Sequence, residues 1–197
     1  MSAGADLSGR FVPRARGRFA EVESYLTGPP QRPLEVLNPA PNGNPPAPAT
    51  LEEMQAWARG VMASRPPDFT IGEDYLRRWY VIPRNLGANL YLHDIRKSDD
   101  DRALHDHPWG NTSYLLFGGY REHTPEGVFE RVAGDTVTRA AGALHRLEVA
   151  PGRSAISLFA TGPKVREWGF ACPNGWVPWE QFLDVHDSSK TGRGCGE

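Results

Sequence analysis

The sequence has little cysteine: only Cys172 and Cys195 occur in 197 residues. Two are too few for the disulfide framework that staples small secreted domains, and Cys195 sits in a Gly-rich tail, so a reducing compartment is expected. Long hydrophobic runs are also missing. No stretch approaches the roughly 18 uncharged apolar residues of a membrane span. The N-terminus, with Asp6, Arg10, Arg14 and Arg16, lacks the apolar segment of a secretory signal. A soluble, cytoplasmic protein with no membrane partner is the expectation. Charge of one sign is absent as well, since 22 Lys and Arg face 24 Asp and Glu for a net charge of -2. Without a basic surplus or a basic block, nucleic acid is not an expected partner.

What is abundant points to strands. The 21 glycines and 18 prolines suit many short strands joined by tight turns better than an all-helical chain. The length allows one sizeable core with an appendage rather than two domains. Residues 1–74 read as an N-terminal extension. It holds a weakly amphipathic helical stretch at 15–26, then eight prolines between Gly28 and Thr50, a density that can neither propagate a helix nor supply ladder donors. Thr50 reads as an N-cap with Glu52 and Glu53 in the first turn of a helix to about Met62, closed by Pro66-Pro67. Leu51, Met54, Trp57 and Val61 form its apolar face.

From Tyr75 onward the pattern becomes β. Candidate strands cover 76–82, 89–95, 113–117, 120–124, 128–132, 136–139, 144–149, 155–160 and 165–171, with turns at Pro83-Arg84-Asn85, Gly118-Gly119, Gly134-Asp135 and Pro151-Gly152. Strands at this spacing predict a sandwich or barrel over residues 75–186. A short helix from Trp179 to Val185 closes it, and residues 187–197 read as a disordered tail.

Five of the six histidines lie between positions 93 and 145. In His105-Asp106-His107 the period-two alternation of an extended chain puts both imidazoles on one side, where two neutral rings can chelate one divalent ion. A third, His145, follows Gly134 and Gly142, each of which turns the chain and so returns the histidine on a neighbouring strand.

These residues resemble the two motifs of the cupin superfamily. In the first, G(X)5HXH(X)3-4E(X)6G, His105, His107 and Gly119 fall on the motif positions. In the second, G(X)5PXG(X)2H(X)3N, Gly134, Gly142 and His145 do, with Ala140 in the place of the proline. The resemblance spans roughly residues 75–172 and implies an all-β double-stranded β-helix, a jelly-roll barrel with its metal in the mouth. It also implies a homodimer as the default assembly. Positions 111 and 112, where the motif has glutamate, carry Asn111 and Thr112. That departure is similar to the three-histidine centres of the cupin thiol dioxygenases. With three neutral ligands the ion keeps its full charge, which favours an anionic chelating substrate and leaves positions for dioxygen. Fe2+ is therefore the first expectation, with Zn2+, Ni2+ or Mn2+ as alternatives. Glu122, on the next run, is an optional fourth ligand if the register turns it inward.

Around this centre, Arg77 and Arg78 point to opposite faces, so one looks into the barrel. Arg78 is assigned to clamp a substrate anion. Tyr114, two positions beyond Thr112, is assigned as a cavity phenol, its alternative being a core aromatic. His93 reads as a residue supporting the site, and Cys172 as a small core hydrophobe. The segments around Arg77 to Asn85, Asp99 to Trp109 and Arg166 to Trp176 resemble small cupin-like proteins of bacteriophages and prophages. The function expected is a non-haem Fe2+ dioxygenase acting on a small anionic, thiol or amino-acid-like substrate. The alternatives are a metal-dependent isomerase, lyase or Zn2+ hydrolase, and a non-catalytic cupin that binds a small ligand.

Overall fold

The computed structural model describes residues 50–99 and 103–196. The expected helix at 15–26 and the proline-rich run before Thr50 lie outside them. The chain enters through helix α1, Leu51–Ser64. Its start is the one expected: the Thr50 hydroxyl accepts from the Glu53 backbone N–H at 3.2 Å, and the Thr50 N–H donates to the Glu53 carboxylate at 2.7 Å. This reciprocal cap satisfies two of the donors a helix start leaves open. Leu51, Met54, Val61 and Met62 pack with Ala58 against Trp79, Leu92 and Leu116. Trp57 departs from the expected face and is 39% exposed, because the contact stripe runs through Ala58.

Eleven strands follow among the described residues: β1 Phe69–Ile71, β2 Leu76–Tyr80, β3 Asn89–Ile95, β4 Leu104–His105, β5 Asn111–Thr124, β6 Gly127–Val132, β7 Thr136–Arg139, β8 Arg146–Glu148, β9 Ala155–Thr161, β10 Gly169–Cys172 and β11 Gly175–Pro178. A short helix α2, Trp179–Phe182, comes after them. The larger sheet runs β1-β2-β3-β9-β5-β6, with β7 and β8 also paired to β5, and the smaller runs β11-β10-β4. All pairings are antiparallel.

The longest strand corrects the sequence reading. Gly118-Gly119 is not a turn, and the two runs expected on either side are one strand, β5. The glycines mark close approaches instead: a side chain at Gly118 would strike the Ser154 carbonyl, and one at Gly119 the Arg131 carbonyl. The pairing with β9 also shifts register between Leu115 and Phe117. Side chains that alternate correctly up to Leu115 therefore exchange faces beyond it, so Ser113 and Leu115 are buried before the shift and Tyr120 and Glu122 after it.

The C-terminal end also differs from expectation. Residues 187–196 are laid against the barrel rather than disordered. Leu183 bridges Thr191, Cys172 and Cys195 are joined in a disulfide, and a Cβ at Gly72 would collide with the Ser189 side chain packed there. Long-range pairing brought Cys195 to the end of β10, which spacing in the sequence does not reveal.

Candidate metal centre

The three motif histidines converge because the backbone pairs them. His105, at the end of β4, and His145, just before β8, form an isolated antiparallel bridge. Their main chains exchange both hydrogen bonds, at 2.9 and 2.8 Å, so the two side chains leave from the same face. His107 joins them two residues along the same extended segment, tied to the opposite chain by the Gly142 N–H at 3.2 Å. One ligand atom from each ring lies within 4.8 Å of the others, and the Nε2 atoms of His107 and His145 are 2.9 Å apart. Two metal–nitrogen bonds of about 2.1 Å at right angles would place their nitrogens about 3.0 Å apart. The His107–His145 pair therefore has the spacing of two ligands on one divalent ion, and three imidazoles are donors such an ion takes.

The intervening Asp106 points the other way and is buried. Its carboxylate accepts from Arg166 Nη1 at 2.6 Å, the Gly169 N–H at 2.8 Å and Trp176 Nε1 at 3.1 Å. It thereby fastens the ligand segment to β10 and β11. His107 stacks on Trp109, with centroids 4.6 Å apart and planes 10° apart. Burial first, then the neighbouring His145 and His105, push the His107 pKa well below its usual value. Burial takes His145 down to about 4 against the upward pull of Glu122. Both rings are neutral at pH 7, the state a metal requires.

Glu122 faces inward but stands behind His145. Oε1 receives His145 Nδ1 at 3.1 Å and Arg139 Nε at 2.6 Å, and Oε2 receives Arg131 Nε at 2.8 Å. Burial raises the carboxyl's pKa, but the His145 hydrogen bond, the Arg139 charge and Arg131 outweigh it and hold the group at about 2. An ionised acceptor on Nδ1 fixes the proton there and leaves Nε2 free to bind an ion. The expectation of Glu122 as a fourth ligand is thus corrected: two guanidinium groups and an imidazole N–H occupy its oxygens. Asp99 stands behind His105 in a similar way, 3.7 Å from Nδ1, and also takes the Leu147 N–H at 2.6 Å and the Tyr75 hydroxyl.

The histidines open into a cavity of about 230 Å3, walled among others by Trp109, Phe159, Trp168 and Phe170. Arg78 lines it, while Arg77 lies outside and pairs with Asp74 at 2.5 Å. Tyr114 does not reach it. Tyr114 and Thr112 share a face, as expected, but it is the outer one, where Tyr114 packs with Trp79, Leu92 and Leu116 under α1. The inward neighbour is Ser113, and the phenol in the cavity wall is Tyr120, on the far side of the register shift. Asn111, at the motif's glutamate position, is buried beside Arg139, whose Nη1 lies 3.4 Å from its Oδ1. His123 points away from the cavity and pairs with Glu148 at 2.7 Å. Nothing in the local sequence pattern around Asp99, Asp106 and Arg139 separates them from surface charges.

A barrel of antiparallel strands, long β5 crossing from one face to the other, carries the two-motif histidine cluster at its mouth. The fold is that of the cupins. No protein-family model matches the sequence, and no curated protein does. Among solved structures, a cupin-2 domain protein from Rhodospirillum rubrum is similar at 14% identity and a TM-score of 0.44, over 51% of this chain and 68% of that one. A double-stranded β-helix protein from Klebsiella pneumoniae is similar at 14% identity and 0.42, over 64% and 96%. A DMSP lyase from Ruegeria pomeroyi is similar at 15% and 0.48, over 74% and 83%. Similarity at these levels says nothing about the reaction. No helix among the described residues is long and apolar enough to cross a membrane.

Proposed function

We propose that this chain is a metal-dependent cupin enzyme acting on a small anionic molecule, with non-haem Fe2+ dioxygenation as its chemistry. The observation that carries the reading is the convergence of the His105, His107 and His145 donor atoms within 4.8 Å, in the wall of a cavity that also holds a buried arginine. His105, His107 and His145 would hold the ion. When bound, it supplies a Lewis-acid centre and, as iron, redox chemistry toward dioxygen.

The remaining work falls to the protein. Glu122 keeps the His145 proton on Nδ1, and Asp99 stands ready to orient His105. Trp109, Phe159 and Phe170 exclude water from the reacting end, which strengthens every electrostatic contact there. Arg78, on the cavity wall, attracts and orients an anion. An all-imidazole donor set adds no negative charge to the centre, and this favours a chelating anionic substrate of the thiol or amino-acid-like kind.

The test is elemental analysis of protein produced with iron available, together with oxygen uptake over small thiols, amino acids and oxo-acids. Near-stoichiometric iron with substrate-dependent oxygen consumption supports the reading. Full turnover with Zn2+ in place of iron would overturn the dioxygenase and leave a Lewis-acid isomerase, lyase or hydrolase. Protein that takes up no metal, and loses no stability to chelator, would overturn the metal centre and leave a binding protein.

A further inference from the structure

The chain beyond α2 supplies one side of the cavity wall. Leu183, Ser188, Ser189 and Lys190 all line the space into which the three histidines open. The stretch is a hairpin. The Asp184 N–H donates to the Lys190 carbonyl at 2.9 Å, Leu183 bridges Thr191, and at the tip Asp187 accepts from the Ser189 N–H and hydroxyl at 3.1 and 2.6 Å. That tip rests on the turn between β1 and β2, where a Cβ at Gly72 would overlap the Ser189 side chain. The returning arm gives the Gly192 and Gly194 N–H groups to the Phe182 carbonyl, each at 3.0 Å, and ends at Cys195, bonded to Cys172 at the end of β10. The hairpin therefore reaches from one wall of the cavity, where Phe69 and Ile71 precede Gly72, to another, where Phe170 stands on β10.

Its two ends are held differently. Leu183 is buried with Phe170, Trp179 and Phe182, whereas no residue from 184 to 193 is buried. A segment with so little apolar burial opens at low cost unless a further restraint holds it. The disulfide is that restraint. It joins positions 23 residues apart and pins the returning arm to the sheet. Both cysteines are half-buried rather than sealed in the core, which leaves the bond open to thiol exchange.

We propose that residues 184–196 form a redox-latched strap on the cavity, closed while Cys172 and Cys195 are bonded and released when a dithiol reduces them. One thiolate of the dithiol attacks a sulfur of the pair, the S–S bond breaks, and one cysteine leaves as its thiolate. The second thiol of the reagent then displaces the other cysteine from the mixed disulfide. The dithiol ends as its own disulfide, and the two cysteines take up two electrons and two protons. The arm from Thr191 onward then leaves β10, Ser189 lifts from Gly72, and the wall made by Ser188, Ser189 and Lys190 opens. This device goes beyond the reaction proposed above and operates whether or not the histidines carry an ion.

The experiment compares full-length, metal-free protein in its oxidised form, after reduction with dithiothreitol and anaerobic desalting, and as Cys195→Ser. Hydrogen exchange read by mass spectrometry follows the strap, and carbethoxylation by diethyl pyrocarbonate, mapped by peptide, follows access to His105, His107 and His145. His123, which points away from the cavity and pairs with Glu148, is the reference. Reduction is expected to speed exchange in 184–196 about tenfold and modification of the three histidines about fivefold, leaving His123 and the β5 and β9 amides unchanged. Cys195→Ser should match the reduced protein without reductant and ignore dithiothreitol. Gly72→Ala, which displaces the tip and keeps the disulfide, should speed histidine modification in the oxidised form. Circular dichroism identifies a variant that fails to fold; the comparison of oxidised with reduced wild type then decides alone.

Equal exchange in 184–196 before and after reduction, or histidine modification that reduction does not change, overturns the proposal. Faster exchange throughout the barrel strands overturns it too, because the disulfide then stabilises the whole domain and not a strap. Metal uptake without any effect of reduction on these rates sinks the strap and spares the metal centre. Reduction-dependent rates in a protein that takes up no metal sustain the strap and sink the metal reading instead.

Discussion

Replacing Glu122 with glutamine separates a carboxylate that positions a ligand from one that is itself a ligand. The change keeps the side chain's shape and removes its charge. In the native protein that charge is held by His145, Arg139 and Arg131, which bring the carboxyl from its ordinary 4.5 to about 2. At about 1.4 kcal/mol per tenfold in acidity this corresponds to roughly 3 kcal/mol of interaction. The same order is expected when a buried ion pair loses one member. In a domain of this size Glu122→Gln should therefore lower the melting temperature by on the order of 10 °C at neutral pH. The folded pKa lies below the unfolded one, so this stabilisation is present above roughly pH 4 and is lost as the pH falls through about 2. Wild type and variant should thus converge in stability toward strong acid. For the metal, loss of the anionic acceptor on His145 Nδ1 should weaken affinity about 10- to 100-fold. The visible spectrum of the Co2+-loaded protein should keep its shape, because the donor set is unchanged. A changed Co2+ spectrum would mean that Glu122 is a ligand after all. Unaltered affinity and stability would mean that the network around it does not operate as described.

Two further substitutions probe the register and the tail. Tyr114→Phe should leave metal affinity unchanged, since the ring packs outside the cavity; a marked loss in a metal titration would contradict the placement of β5. Reducing the disulfide between Cys172 and Cys195, which are separated by 23 residues, should cost about 3 kcal/mol by chain entropy. The check is chemical denaturation with and without reductant, and an unchanged midpoint would show that the pair is not bonded in solution.

Much of the site could be read in sequence because its determinants are local. Two histidines flanking one residue in an extended chain must share a side, and glycines at fixed offsets must turn the chain back. Asp99, Asp106 and Glu122 acquire their roles only from residues far away in the sequence, such as Tyr75, Trp176 and Arg131. The register shift at Leu115/Phe117 decides the inward place of Tyr120 and Glu122, whereas Tyr114, which precedes it, lies outside because the face it shares with Thr112 is the outer one. Alternation counted forward from Thr112 selects Tyr114, whereas the inward set is Asn111, Ser113 and Leu115, and beyond the shift Tyr120 and Glu122. Nothing in the residue types there announces the extra residue. The bonding of Cys195 was hidden for a related reason, as it depends on where the tail after α2 returns.

Positions 105 and 145 are joined by a main-chain bridge. Their proximity does not depend on which side chains they carry, so a donor can be exchanged while its neighbour stays where it is. Cysteine or carboxylate at either place would bring sulfur or oxygen toward the same mouth at the shorter reach of its side chain, making the barrel mouth a scaffold on which preference between hard and soft ions can be retuned one substitution at a time.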